Sequence, residues 1–218
     1  MTPPRLQRPL RLCIARHGET TSPGLLLGQA DPPLSARGRR QAAILAERLR
    51  DSGAQFVLSS GLRRAIETAE ILARSLELPL ESDSRLNEIS HGDWDGRRWD
   101  GIESGDPETA RRKLSDWWGV IPARGESAET FYQRVEAAWR SLLGRAATAG
   151  VVVAHGGVNA VLLDLARRTA SKTPPNSDIS TPDIPNPDIS NPDWRAIQSF
   201  QQEHGGYVAI DIPPGDLQ

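Results

Sequence analysis

Two apolar runs in this chain end the same way. Leu12-Cys13-Ile14-Ala15 leads into Arg16-His17-Gly18, and Val151-Val152-Val153-Ala154 leads into His155-Gly156-Gly157. An apolar run with no polar alternation, closed by glycine, is the pattern of a strand buried on both faces. Such strands belong to mainly parallel sheets with helices on either side. The segments around them alternate accordingly. Residues 10–15 read as the first strand and residues 55–59 as the second. Between them Ser35 caps a helix carrying Ala42, Leu45 and Leu49 that ends near Gly53. Residues 62–77 place Leu62, Ala65, Ile66, Ala69 and Leu72 on one helical stripe, and a short strand follows at 78–81. Ser127 caps a helix with Phe131, Val135, Ala138, Trp139 and Leu142 at helical spacing. After the strand at Val151–Ala154 comes a helix to about Thr169, and Tyr207–Ile212 is a last strand. This order predicts an α/β fold, a three-layer α/β/α sandwich around a mainly parallel central sheet. A length of 218 residues fits one domain spanning residues 1–218.

Three stretches interrupt the pattern. Residues 21–34 hold Pro23, Gly24, Gly28, Pro32 and Pro33 and read as a loop. Residues 83–104 read as irregular, and a helix is expected over 106–118, ending in Trp117-Trp118. Residues 171–193 carry a degenerate five-residue repeat, including Thr181-Pro-Asp-Ile-Pro and Asn186-Pro-Asp-Ile-Ser. Each proline removes a donor and disfavours helix at the residue before it, so an exposed, extended or disordered insertion is expected. A lid edge or docking segment is its functional alternative.

The formal net charge is -2, which argues against a general binder of nucleic acid or membrane surface. A single cysteine, Cys13, allows no intrachain disulfide and no cysteine-based zinc site. It sits mid-strand and reads as a small buried residue. No apolar run approaches ~20 residues and no apolar signal region opens the chain, so a cytoplasmic setting is expected.

Chemistry concentrates where the strands end. Ligands of open parallel sheets bind beyond the carboxyl ends of strands, so His17 and His155 are expected at one edge. The strand ending at Ser59-Ser60 delivers Arg63 and Arg64 to the same edge, in the first turn of the next helix. Two imidazoles and at least two guanidiniums around one concavity suit a phosphate: arginine offers always-charged, bidentate donors. A helix opening at Gly156-Gly157 adds backbone N–H groups. A neutral imidazole is a competent nucleophile near pH 7, and covalent transfer splits one difficult displacement into two easier ones. The leaving oxygen needs a proton, and Glu88 in Leu86-Asn87-Glu88-Ile89 is the candidate donor. No cofactor and no metal is called for; the expected partner is a small phosphoester.

The motif Arg16-His17-Gly18-Glu19-Thr20 resembles the signature of the histidine phosphatase superfamily, in its phosphoglycerate-mutase-like branch. Ser60-Gly61-Leu62-Arg63-Arg64-Ala65-Ile66-Glu67-Thr68-Ala69 resembles the second-arginine motif of that family, in a register that selects Arg64 over Arg63. Leu86-Asn87-Glu88-Ile89 with Gly92, Trp94 and Gly96 resembles its acid motif, and Val153-Ala154-His155-Gly156-Gly157 its second-histidine motif. The resemblance covers roughly residues 10–170 and, more weakly, 194–212. It implies His17 as nucleophile, Glu88 as general acid and base, and Arg16, Arg64 and His155 around the phosphoryl group; Thr20 and Gly156 are further candidates for substrate binding. Two positions depart from the family. The asparagine that usually follows the first motif is replaced by Thr21-Ser22-Pro23-Gly24, and Ala160 stands where relatives often carry arginine.

The stretch from Trp117-Trp118 through Pro122–Ser127 is similar to bacterial α-ribazole phosphatases. The chain is also shorter than cofactor-dependent phosphoglycerate mutases, and a thin cap over a phosphohistidine favours hydrolysis. The resemblance therefore implies a phosphomonoesterase, with α-ribazole 5'-phosphate as a candidate substrate. A phosphoglycerate mutase and an inactive module that binds phosphorylated ligands are the alternatives. Thr20 either orients the site loop or pairs locally. His91 and His204 read as ordinary loop residues, because no metal-ligand spacing surrounds them. Arg63 reads as solvated helix surface, Glu19 as an anchor of the motif loop, and Trp94, Trp117, Trp118 and Trp139 as core.

Overall fold

A computed structural model describes residues 5–6, 8–171, 192–193, 197 and 200–216. Its centre is a five-stranded sheet of β1 (Leu10–Arg16), β2 (Val57–Ser60), β3 (Leu80–Asp83), β4 (Ala149–Ala154) and β5 (Tyr207–Ile212). The spatial order is β3-β2-β4-β1-β5. The first four run parallel, and β5 closes the edge antiparallel to β1. The helices are α1 (Ala36–Arg48), α2 (Arg63–Leu76), α3 (Trp99–Gly105), α4 (Pro107–Ser115), α5 (Ala128–Leu143) and α6 (Gly156–Ser171). The mixed but mainly parallel sheet flanked by helices is the α/β architecture expected.

The unbroken apolar runs explain the layering. Every residue of β4 is buried. On one face Val151 and Val153 join Cys13 and Ala15 against alanine-rich surfaces of α1 and α2; on the other Val152 and Ala154 join Leu12 and Ile14 against α5 and α6. Small residues draw α1 and α2 close to the first face, while Phe131, Trp139 and Leu142 fill the second. Each fully buried aliphatic side chain contributes about 1.5–3 kcal/mol, so a polar residue inside either run would destabilise the sheet by a similar amount. Ser35 and Ser127 cap α1 and α5 as read, their hydroxyls accepting from Gly38 N at 3.0 Å and Thr130 N at 3.1 Å.

Three expectations change. Residues 83–104 are not uniformly irregular. They hold 3-10 turns at Ser84–Leu86 and Gly92–Trp94, the helix α3, and Arg97–Arg98 paired antiparallel with Leu25–Leu26. These pieces are too short to impose a period on the sequence. The helix expected over 106–118 starts at Pro107, capped by Asp106, and stops at Ser115. Asp116 leaves helical geometry at φ -141° and its carboxylate accepts from Gly119 N at 2.8 Å, so Trp117 and Trp118 lie beyond the helix. The second and third strands lie at Val57–Ser60 and Leu80–Asp83, later than read. Residues 172–191 of the Pro/Asp insertion lie outside the described residues. Among the described residues no helix is long and apolar enough to cross a membrane.

Candidate active site

The parallel strands deliver both histidines to one edge. Arg16 is the last residue of β1, aligned with Ala154 at the end of β4. His17 N donates to Ala154 O at 3.0 Å, which extends the ladder by one bond past the strand. The next residue on the other side is His155, and the two ring centroids lie 5.1 Å apart with planes tilted by 57°. Both are almost wholly buried, at 3% and 1% exposure.

Their hydrogen bonds constrain the tautomers. Nδ1 of His17 lies 2.7 Å from Gly18 O. A carbonyl only accepts, so Nδ1 carries the proton and Nε2 keeps its lone pair. Nε2 of His155 lies 2.7 Å from the Ser60 hydroxyl, which already accepts from Leu62 N at 3.2 Å. That hydroxyl's proton fits His155 Nε2. Nδ1 of His155, buried without a partner, then carries an N–H free for an anion. Burial pushes the pKa of both rings well below the usual imidazole range, and the Arg64 charge is the next cause for each. Both imidazoles are therefore neutral at pH 7.

Arg64 sits in the first turn of α2 at 1% exposure. One Nη donates to Ala30 O at 2.7 Å and the other to Gly28 O at 2.8 Å, so the loop after His17 wraps the guanidinium. Its Nε is buried without a partner, as is that of Arg16. Arg16 donates from Nη1 to Gln202 O at 2.5 Å. Burial lowers both arginine pKa values, and Glu88 opposes the shift in each, which puts the Glu88 carboxylate in the field of both guanidiniums. Glu88 Oε2 accepts from Gly157 N at 3.0 Å and Oε1 from Ile89 N at 3.0 Å. A Cβ at Gly157 would lie 2.6 Å from Oε1, so that helix start must be glycine for the carboxylate to dock. His17, Glu88, His155, Arg16 and Arg64 thus converge on one edge of the sheet. Gly156 joins them: the Arg16 guanidinium lies 4.0 Å from where its Cβ would be.

Thr20 is placed differently. It is buried, its hydroxyl accepts from Ser22 N at 3.3 Å, and its backbone bridges Leu34. This is the loop-orienting arrangement. Arg63 points outward and pairs with Glu67 at 2.6 Å, as its surface reading expects. Glu19 anchors the motif loop, accepting from the Ser35 hydroxyl at 2.9 Å.

Sequence reasoning missed the support around Glu88. Arg134 on α5 grips Glu126 with Nε at 2.7 Å and Nη2 at 2.8 Å. The same guanidinium donates to the backbone oxygens of Arg85, Asn87 and Glu88. Only tertiary contact reveals that fork. His204 was also missed. Its ring lies 5.3 Å from that of His17, reached from the turn before β5.

A mainly parallel sheet flanked by helices, with imidazoles and guanidiniums gathered at one edge, makes this an α/β protein whose edge has the chemistry to receive an oxyanion. A family model for the histidine phosphatase superfamily (branch 1) matches residues 12–195, and the chain belongs to that superfamily. The adenosylcobalamin/alpha-ribazole phosphatase of Escherichia coli K12 is 39% identical over 129 residues, covering 58% of this chain and 64% of that protein. The matched stretch thus spans just under two thirds of that relative's length. A Salmonella paratyphi C protein named a probable phosphoglycerate mutase is 38% identical over 138 residues, covering 62% of this chain and 63% of that protein. The crystal structure of the alpha-ribazole phosphatase from Shigella flexneri superposes with a TM-score of 0.73 at 29% identity, covering 95% of this chain and 96% of that chain.

Proposed function

We propose that this protein hydrolyses small phosphomonoesters through a phosphohistidine on His17. The observation that carries the reading is the state of His17: a buried, neutral ring with Nδ1 tied to Gly18 O and Nε2 left as the free nucleophile. Nε2 attacks phosphorus and the ester P–O bond breaks. Glu88 supplies the proton that the leaving oxygen needs, so an alcohol departs and the phosphoryl group stays on Nε2. Water then attacks phosphorus, Glu88 takes its proton, the P–N bond breaks, and inorganic phosphate leaves. Arg16, Arg64 and the Nδ1–H of His155 face the charge on the transferring oxygens, where fixed donors are worth most. Gly156 presents the backbone of the α6 start beside Arg16, and Thr20 sets the loop that wraps Arg64.

The substrate class follows from the relatives' names and from the stretch between Trp117 and Ser127: a phosphorylated small metabolite, with α-ribazole 5'-phosphate first in line. Rapid acid-free quenching during turnover should trap one phosphate on His17, as the Nε2-linked isomer. A chain that releases phosphate from a phosphoester panel without ever carrying that label would have to work by another mechanism. A mutase reading rests on the relative named for that activity. Isomerisation of 3-phosphoglycerate primed with 2,3-bisphosphoglycerate, without net phosphate release, would favour it. An inert protein that still binds phosphoesters would favour a binding module.

A further inference from the structure

The chain has a third imidazole at this edge, and nothing in the reaction above uses it. His204 is carried on a turn in which Gly206 N donates to Glu203 O at 3.0 Å. Gly205 in that turn has φ +70°, and a Cβ there would lie 2.8 Å from Gln41 on α1, so the turn is pressed against the helix that follows the nucleophile loop. Gly205 N donates to Arg16 O at 3.1 Å, and Arg16 N donates to Gly206 O at 3.0 Å. Gln202 adds Nε2 donors to Ile14 O and Gly206 O, and its Oε1 accepts from the buried Asn159 at 2.7 Å. A side chain on so heavily fastened a turn has a fixed position. The half-buried ring of His204 sits 5.3 Å from the ring of His17, tilted by 50°. His155 and His204 each meet the His17 ring and have no ring contact with each other, so they occupy separate positions around it. Neither ring nitrogen of His204 takes a hydrogen bond among the described residues. The charged groups that bear on it are Arg16, Glu19, Arg37 and Arg64, with burial the main cause that lowers its pKa to about 4. The ring is neutral at pH 7 and carries one N–H.

We propose that His204 is a further phosphoryl-binding residue, whose ring N–H donates to an oxygen of the group held at His17, from a position separate from that of His155. The inference rests on the phosphoryl-transfer reading of the site, which it deepens. A half-buried ring whose only part is to wall the nucleophile needs area; a ring that binds an anion needs its N–H. Phenylalanine keeps the area and removes the donor, and glutamine keeps a donor at similar reach. The full chain with His204→Phe should bind orthovanadate about tenfold more weakly than the parent, a typical loss for one hydrogen bond to a charged group, while His204→Gln stays within about threefold. Thermal melts of both variants confirm that each is folded. Parent-like vanadate affinity in His204→Phe, or equal losses in both variants, overturns the proposal. Failure of the parent to form a phosphohistidine would sink the hydrolytic mechanism and leave this comparison intact, because vanadate binding needs no turnover.

Discussion

The sheet edge and the region from residue 90 to 126 lie side by side and are built by opposite means. At the edge the histidines and arginines are delivered by the end of a strand or the start of a helix and Glu88 by the loop after a 3-10 turn, and hydrogen bonds, most of them to the backbone, hold them. His17 is tied to Gly18, His155 to Ser60, Arg64 to Gly28 and Ala30, and Glu88 to Gly157 and Ile89. The neighbouring region has two short helices and a group of aromatic rings. Trp99 stacks on Trp117 at 6.4 Å, Trp94 meets Trp99 edge-on at 6.0 Å, and His91 meets Trp117 at 5.7 Å. Lys113 lies over Trp117 and donates to Val120 O at 2.6 Å. Its exposed ion pairs, such as Arg98 with Asp100 at 3.6 Å, contribute about 0–1 kcal/mol. Geometry at the edge is over-determined, which chemistry requires. The neighbouring region is held mainly by ring packing, so on the proposed function its side chains are the ones that can set substrate preference without moving the reacting atoms.

The division is tested hardest at His17: His17→Ala should leave no phosphate release above background and no covalent label, because it removes the proposed nucleophile. Next comes Arg64→Met, which keeps the volume and loses the charge; kcat/KM on an aryl phosphate should fall about 10²–10³-fold. Gly157→Ala displaces Glu88 by steric contact alone, and a misplaced proton donor should lower kcat up to about 10²-fold, most for poor leaving groups. Trp117→Ala should change aryl phosphate turnover by less than about tenfold while reordering a panel of natural phosphoesters, since stacked pairs are worth about 0.5–1.5 kcal/mol. A larger loss from Trp117→Ala than from Gly157→Ala would erase the distinction between the two regions.

The smallest effect is on stability. All four histidines titrate below their ordinary value of about 6.5, those at 91 and 204 near 4, mainly through burial. Between pH 6.5 and 4 the unfolded chain therefore binds more protons than the folded one, so stability rises with pH across that window and is lost on acidification. The urea midpoint should drop between pH 7 and pH 5; a flat profile would mean that the rings are less buried than described.

Much of the edge was legible because it is written in contiguous residues. Apolar runs name β1 and β4, and the His-Gly that ends each run places its ring. Arg64 is the second residue of a striped helix, and Glu88 follows β3 within a few positions. What escaped depends on contacts across the fold. His204 follows no apolar run; it precedes an antiparallel strand, whose start falls at the edge where parallel strands end. Its His-Gly-Gly repeats the triplet at 155–157, a signal that gains meaning only once the direction of β5 is known. Arg134 looks like any charged residue on an amphipathic helix until its five acceptors are seen. Trp117 and Trp118 read as helix because apolar residues continue the stripe, while Asp116 ends it through a side-chain bond that periodicity does not encode.

The guanidiniums of Arg16, half-buried, and Arg64, buried, have one further consequence. Among the described residues the one carboxylate within ion-pair distance of Arg64 is that of Asp31, at 3.7 Å, with Glu88 and Asp95 acting on it from further away. Under the proposed hydrolysis, free orthophosphate presents the same oxygens as the group in transit, so the spent product would compete with fresh ester for the same donors. Phosphate buffer should slow this protein and harden it against heat at once: at a hundred times the dissociation constant, ligand binding adds about 2.7 kcal/mol to the folded state. A rising melting temperature in phosphate would then be a readout of feedback.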